Sequence, residues 1–349
     1  MSEQDIVYVR LIEQCQSDNL AQRLAALEEL SKYYLDQLQG QELVDWLAST
    51  SIPKEQEAIL DVLAQIPAHL PVDALISILA DRDTSTASLR EAVAHTLAAV
   101  KTEPVLAVLL RLLVDPNEEL GLRRVIAEDL QAFGELVPFE VLKALLADPD
   151  SDILAAAIQA MSEQSALIPI DLLLTFRGHP VWYVRQVVVK TLMMTGERVP
   201  IEPIIAALSD PEARVRTAAA SGCIGLLERF GMRVPLEPLL CALSDTYAPV
   251  RESILDAFAK IPEHAPLPPI LTALSDADPP VRCAALETLA TMPDRVPEAL
   301  YATLQTMSGM DPSAHVRQRA TWALLILKGF PLGPLRPIVF DPTLEELGE

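Results

Sequence analysis

An apolar triplet recurs eight times along the chain at a spacing that only a helix makes continuous. With Arg90, Arg123, Leu154, Arg185, Arg216, Arg251, Arg282 and Arg317 as markers, the residue before each is aliphatic, from Leu89 to Val316. Three residues after the markers stand Val93, Ile126, Ala157, Val188, Ala219, Ile254, Ala285 and Ala320. Seven after them stand Leu97, Leu130, Met161, Leu192, Cys223, Phe258, Leu289 and Leu324. Steps of four residues put all three side chains on one stripe of an α-helix, so each marker sits on a helix with one buried face. The markers lie 33, 31, 31, 31, 35, 31 and 35 residues apart, the period of an array of helix pairs.

A second helix precedes each of these. Val199-Pro-Ile-Glu-Pro-Ile-Ile-Ala-Ala-Leu-Ser-Asp210 and Val234-Pro-Leu-Glu-Pro-Leu-Leu-Cys-Ala-Leu-Ser-Asp245 share one frame, which recurs more loosely before Asp81, Asp148, His179 and Asp276. Proline is expected at the first helical position, where a missing N–H costs nothing. The acid two residues on (Asp73, Glu140, Asp171, Glu202, Glu237) suits a helix N-terminus. The closing Asp then marks the turn into the marker helix. Two looser pairs are expected at the N-terminal end, Ser2–Cys15 with Asn19–Leu38 and Gln41–Ala48 with Lys54–Gln65. The two longer marker spacings put extra residues near Glu228–Arg233 and Thr306–Met310, expected to lengthen helix ends or loops. The organisation expected is 1–69 degenerate repeats, 70–328 regular repeats and 329–349 a proline-rich, acidic tail, with Pro331–Phe340 packed extended over the last pair or serving as a docking motif.

The Asp-x4-Val-Arg signature, followed by Ala-Ala and Leu, resembles HEAT repeats, especially the short bacterial kind also found in phycobilin lyases. The resemblance implies an all-α fold, an α-solenoid (right-handed superhelix) of about ten helix pairs, and an Asp/Arg structural ladder: Asp148, Arg185, Asp210, Arg216, Asp245, Arg251, Asp276, Arg282, Asp311 and Arg317. The marker column fails once, at Leu154, and the Asp column once, at His179. Pairing each Arg with the Asp of the following repeat strands no partner at these two defects, whereas pairing within a repeat strands Asp148 and Arg185. Cross-repeat pairing, such as Arg185 with Asp210 and Arg216 with Asp245, is therefore expected.

The chain has 49 Asp and Glu against 27 Lys and Arg, a net charge of −22, which argues against binding nucleic acid. No stretch approaches the ~18 apolar residues of a membrane span, and the acidic start carries no basic leader, so a cytoplasmic protein is expected. Cys15, Cys223, Cys241 and Cys283 lack C-x-x-C spacing and read as buried small hydrophobes. Glu91 and His95 are spaced for one helix face, but no further ligand accompanies them, and neither a metal nor a cofactor is expected. No G-x-S-x-G, P-loop or dinucleotide fingerprint is present. No catalytic residue is assigned.

Positions one and five residues after the markers do not repeat, and in HEAT-like stacks they line the concave surface. The second set reads His95, Glu128, Gln159, Lys190, Ser221, Asp256, Glu287 and Trp322. Of these, His95, Glu128, Gln159, Lys190, Asp256, Glu287 and Trp322, together with Trp182, are the expected partner-binding residues, although any single one reads equally as a solvated helix position. An exposed Trp322 is expected to be covered or used. The function expected is a monomeric, non-catalytic scaffold that binds a basic protein or peptide. The alternative carried by the repeat style is a bilin-lyase-like enzyme or subunit.

Overall fold

A computed structural model of the chain describes residues 3–66 and 69–330, with side chains from residue 6 onward. All regular structure among them is helical. The chain forms two compact units, Met1–Ile168 and Pro169–Glu349. This is a division by compactness, separate from the change in repeat regularity near residue 70.

The first unit contains α1 (Glu3–Gln14), α2 (Leu20–Tyr33), α3 (Gly40–Ser49), α4 (Pro53–Ala64), α5 (Val72–Ala80), α6 (Ala87–Ala98), α7 (Glu103–Leu113), α8 (Leu120–Phe133), α9 (Phe139–Leu145) and α10 (Ser151–Ala160). The second contains α11 (Ile170–Leu174), α12 (Trp182–Met193), α13 (Ile201–Ala206), α14 (Ala213–Phe230), α15 (Leu236–Ala242), α16 (Ala248–Phe258), α17 (Leu267–Ala273), α18 (Pro279–Ala290), α19 (Leu300–Met310) and α20 (Ala314–Leu327). Each unit is thus five helix pairs of solenoid type. Even-numbered helices pack side by side within a unit, α2 on α4 through to α10 and α12 on α14 through to α20. Odd-numbered helices pack mainly on their own partners.

The apolar stripe is the core. Of its 24 positions, all are buried except Leu324, which is half-exposed at the last described pair. Small residues such as Ala157, Ala219 and Ala285 occupy the middle layer at zero exposure, where neighbouring helices meet. The longer spacings are absorbed as helix: α14 runs 18 residues against 11 to 14 for α12, α16, α18 and α20, and α19 runs 11 against 5 to 7 for α11, α13, α15 and α17.

Several expectations change. Pro71, Pro138, Pro169, Pro200, Pro235 and Pro266 stand one residue earlier than expected, as N-caps with non-helical ψ between 75° and 124°. An N-cap also has no helical use for its N–H, so proline is equally free of cost there, and its carbonyl opens the ladder, as Pro71 does for Leu75. The acids two residues on lie in the first turn as expected. Helix α2 stops at Tyr33 rather than reaching Leu38, because the chain turns through a short 3-10 segment at Leu35–Gln37. Cys241 is exposed, on a short helix whose buried positions are Leu239 and Ala242, while the other three cysteines are buried. The expectation for Pro331–Phe340 lies outside the described residues.

Candidate functional site

The inter-helix Asp is first a turn-maker. In Asp148, Asp210, Asp245, Asp276 and Asp311 one carboxylate oxygen accepts the backbone N–H two residues on, at 2.8–2.9 Å. That next-but-one residue is the N-cap of the following helix in all five. A short acceptor arm at the end of one helix therefore fixes where the next begins.

The same carboxylates receive arginines from the preceding pair. Arg185 donates through Nε and Nη2 to Asp210, both at 2.7 Å. Arg216 reaches Asp245 at 2.6 and 2.9 Å, Arg251 reaches Asp276 at 2.8 and 2.6 Å, and Arg282 reaches Asp311 at 3.0 and 2.7 Å. In the first unit Arg123 meets Asp148 in the same sense. The third nitrogen, Nη1, turns back to its own repeat: Arg216 to the Asp210 carbonyl at 3.0 Å, Arg251 to Asp245 at 2.8 Å, Arg282 to Asp276 at 2.9 Å. Arg185 does the same to the His179 carbonyl and Arg317 to that of Asp311. One guanidinium thus ties its own turn to the next pair through all three nitrogens of a fixed fork.

Burial pushes Asp210, Asp245 and Asp276 up, but the arginine hydrogen bonds, the turn N–H and the guanidinium charge outweigh it and leave all three below the usual carboxylate range. At the two defects, Leu154 is buried, and His179 Nδ1 accepts the Val181 N–H at 3.2 Å, a turn bond without a carboxylate.

Two parts of this network escaped the sequence reading. Arg90, 1% exposed, pairs with Glu118 rather than Asp115, at 2.8 and 2.9 Å, and Arg82 joins both acids. Arg23 binds Glu55, itself 1% exposed, whose oxygens also accept from Trp46 and Thr50. Glutamate's longer arm lets the acid sit further along the chain and out of the Asp column. The signal that finds them is an arginine in register: Arg23 is followed at three and seven residues by buried Ala26 and Leu30.

The exposed face of the even-numbered helices carries the other expected residues. His95 stands free of its helix neighbour Glu91 and turns Nδ1 to Asp129 on α8, at 3.0 Å. Glu128 and Lys190 are exposed, and Gln159 donates to Gln131 at 2.6 Å. Ser221 meets Ser253 at 3.3 Å. Arg214 lies 4.8 Å over the ring of Trp182, which meets Tyr183 edge-on at 5.7 Å.

Asp256, Glu287 and Trp322 are half-buried rather than exposed, because α16, α18 and α20 pack closely side by side. Burial, then Glu252 and Glu287, pushes Asp256 up to about 6. Burial also raises Glu252 and Glu287. Arg319, 5% exposed, approaches Glu287 at 2.9 Å and lies 5.8 Å over the Trp322 ring. Glu252 and Asp256 have no cation within 4.0 Å among the described residues. The structure thus brings Asp256, Glu287 and Trp322 into one neighbourhood and leaves His95, Glu128 and Gln159 in the other unit.

Burial pushes the Cys15 thiol up to about 11 and those of Cys223 and Cys283 to about 12, which keeps them protonated and poor nucleophiles. Among the described residues no set of three or more His, Cys, Asp or Glu side chains is arranged to hold a metal ion. No helix among them is long and apolar enough to cross a membrane.

Comparison with known folds agrees with this geometry. YibA of Escherichia coli superposes with a TM-score of 0.57 at 18% identity, over 76% of this chain and 96% of that one. The karyopherin Kap121p, solved bound to the extreme C-terminus of the phosphatase Cdc14p, superposes with a TM-score of 0.52 at 14% identity, over 95% of this chain and 42% of that one. No curated protein matches the chain significantly in sequence. The family model for HEAT repeats matches residues 138–224 and 236–325, half of the chain and the region where turn Asp and cross-repeat Arg alternate most regularly. By its repeat period, its turn chemistry and this match, the chain belongs to the HEAT-repeat family.

Proposed function

We propose that the protein is a non-catalytic scaffold that holds a basic protein or peptide against the exposed face of its even-numbered helices. The observation that carries this reading is the group formed by Glu252, Asp256 and Glu287. Three carboxylates stand half-buried on adjacent helices, and only Glu287 has an arginine beside it. Desolvated like charges destabilise the fold that holds them, and a ligand that supplies the missing cation relieves that cost. The surrounding charge of −22 steers cations toward the face and repels acidic proteins. The Kap121p fold, which holds the end of another chain, supports the same mode.

The test is a titration of the full chain against a fluorescent twelve-residue Lys/Arg-rich peptide. Tight binding that weakens with salt, and at least tenfold again in E252Q/D256N/E287Q, is expected. Equal affinity of that variant and the unaltered chain overturns the reading.

A further inference from the structure

The partner-facing side of the second unit is not uniformly acidic. Between α12, α14 and α16 runs a shallow groove of about 290 Å³, lined by Gln186, Lys190, Arg214, Ser221, Tyr247 and Pro249 among others. Its two cations stand without a carboxylate partner among the described residues. Ten arginines, from Arg23 to Arg319, reach a carboxylate within 4.0 Å. Neither Lys190 nor Arg214 has one within that distance among the described residues, in a chain with 49 acids.

Arg214 is nonetheless held in place. Its guanidinium lies over Trp182, and Tyr183 braces that indole edge-on. The Arg214 side chain spends none of its N–H donors on a hydrogen bond among the described residues, and a guanidinium's fork of donors matches a carboxylate. Tyr247, 43% exposed, and Pro249 supply a flat apolar wall beside it, and Gln186 and Ser221 supply polar edges. A guanidinium fixed by an aromatic ring, next to an ammonium and beside an exposed phenol, is complementary in charge and shape to one acidic side chain with a short apolar flank.

We infer that this groove takes the carboxylate of an Asp or Glu in the partner's peptide, so that the partner is read as a pattern of acid, spacer and base. This rests on the scaffold reading above and adds its register. Neighbouring helices lie about 8–10 Å apart, so the groove on α12–α14 is about 10–20 Å from the Glu252, Asp256 and Glu287 group on α16–α18. An extended peptide rises about 3.3 Å per residue. The acid and the base of the bound segment are then about three to six residues apart.

The test pans a phage-displayed library of random twelve-residue peptides on the full chain, on K190A/R214A and on E252Q/D256N. A cooperative thermal unfolding transition in each variant, at or above the midpoint of the unaltered chain for E252Q/D256N, establishes that the variants are folded, and R214K, which keeps the charge and loses the guanidinium fork, serves as the graded control. The unaltered chain is expected to enrich peptides with Asp or Glu three to six residues from Lys or Arg. K190A/R214A is expected to lose the acidic position and keep the basic one, and E252Q/D256N the reverse. For the best peptide, changing its acid to the amide is expected to weaken binding at least tenfold on the unaltered chain and less than twofold on K190A/R214A. Enrichment of basic peptides with no acidic position, indifferent to K190A/R214A, overturns the inference and leaves the scaffold reading standing. No enrichment by the unaltered chain removes both.

Discussion

At the scale of single residues, the turn Asp does two jobs that substitution can separate. Asp245 gives one oxygen to the Tyr247 N–H and to Arg216, and the other to Arg216 alone. Asp245→Asn keeps an acceptor for the turn and loses the charge; Asp245→Ala loses both. Urea unfolding is expected to show a loss of about 1 kcal/mol for the amide and about 2–3 kcal/mol for the alanine. Arg216→Ala is expected to fall between them, and the double change R216A/D245A to cost less than the sum of the singles. Because Asp210, Asp245 and Asp276 titrate below their ordinary value, their contribution is complete above about pH 4 and is lost as pH falls through the lowered range. Asp256 has the opposite sign. Its carboxyl, at about 6 in the fold, holds its proton more tightly than in the unfolded chain, so the destabilisation it brings is absent below about pH 4, grows through pH 4–6 and is complete above that. Asp256→Asn is expected to stabilise the protein by on the order of 2 kcal/mol at pH 7.5 and by almost nothing at pH 4, read as urea midpoints. The same change is expected to weaken the basic peptide, the opposition of stability and function that marks a binding residue.

At the scale of elements, the exits from α8 and α14 are made by glycine. Gly134 and Gly231 hold φ of 55° and 50°, followed by a 3-10 turn and then by buried Val137 and Val234. A side chain at either glycine would meet nothing within 4 Å, so its cost is conformational alone. Gly231→Ala is expected to lower stability by about 1–2 kcal/mol. Lys101, with φ of 53°, is the non-glycine residue of positive φ among the described residues, and Lys101→Gly is expected to raise stability by up to about 1 kcal/mol; thermal unfolding of the two variants checks both signs. These exits are written in the chain as Gly-x-x-Val-Pro at 134, 196 and 231, a frame that opens about one turn before the Val-Pro leading into the next helix. The stripe was legible because burial is set by helical period alone. The proline caps were missed by one residue because N-cap and first helical position forgive a missing N–H alike. The face was less legible than the core. Asp256 and Trp322 stood out as non-repeating, yet His95 beside Asp129 and Trp182 beneath Arg214 depend on how neighbouring helices align sideways, across some 32–34 residues of chain, which no local period encodes.

At the scale of the whole molecule, the sequence reading and the structure meet in the repeat unit, ten helix pairs of one design with local departures. The rung pattern has a consequence for how such a chain changes length over generations. Because Arg216 binds forward to Asp245, excising residues 211–245 removes both ends of that bond in one event. The seam then joins Asp210 to Thr246, Asp210 takes over the turn before Arg251, and the bonds Arg185–Asp210 and Arg251–Asp276 keep their partners. The shortened chain is expected to unfold in a single cooperative transition in urea, as is one lacking 217–251, in which Arg216 takes the register of Arg251 and faces Asp276, whereas an excision out of step with the repeat, such as 217–245, leaves Arg216 with no turn carboxylate ahead of it and is expected to broaden or split the transition. Slippage between near-identical segments of the chain therefore yields inheritable variants that are folded from the outset, provided the length lost is one whole repeat, and the forward bonds act as a grammar for how much of the chain can be cut out and rejoined.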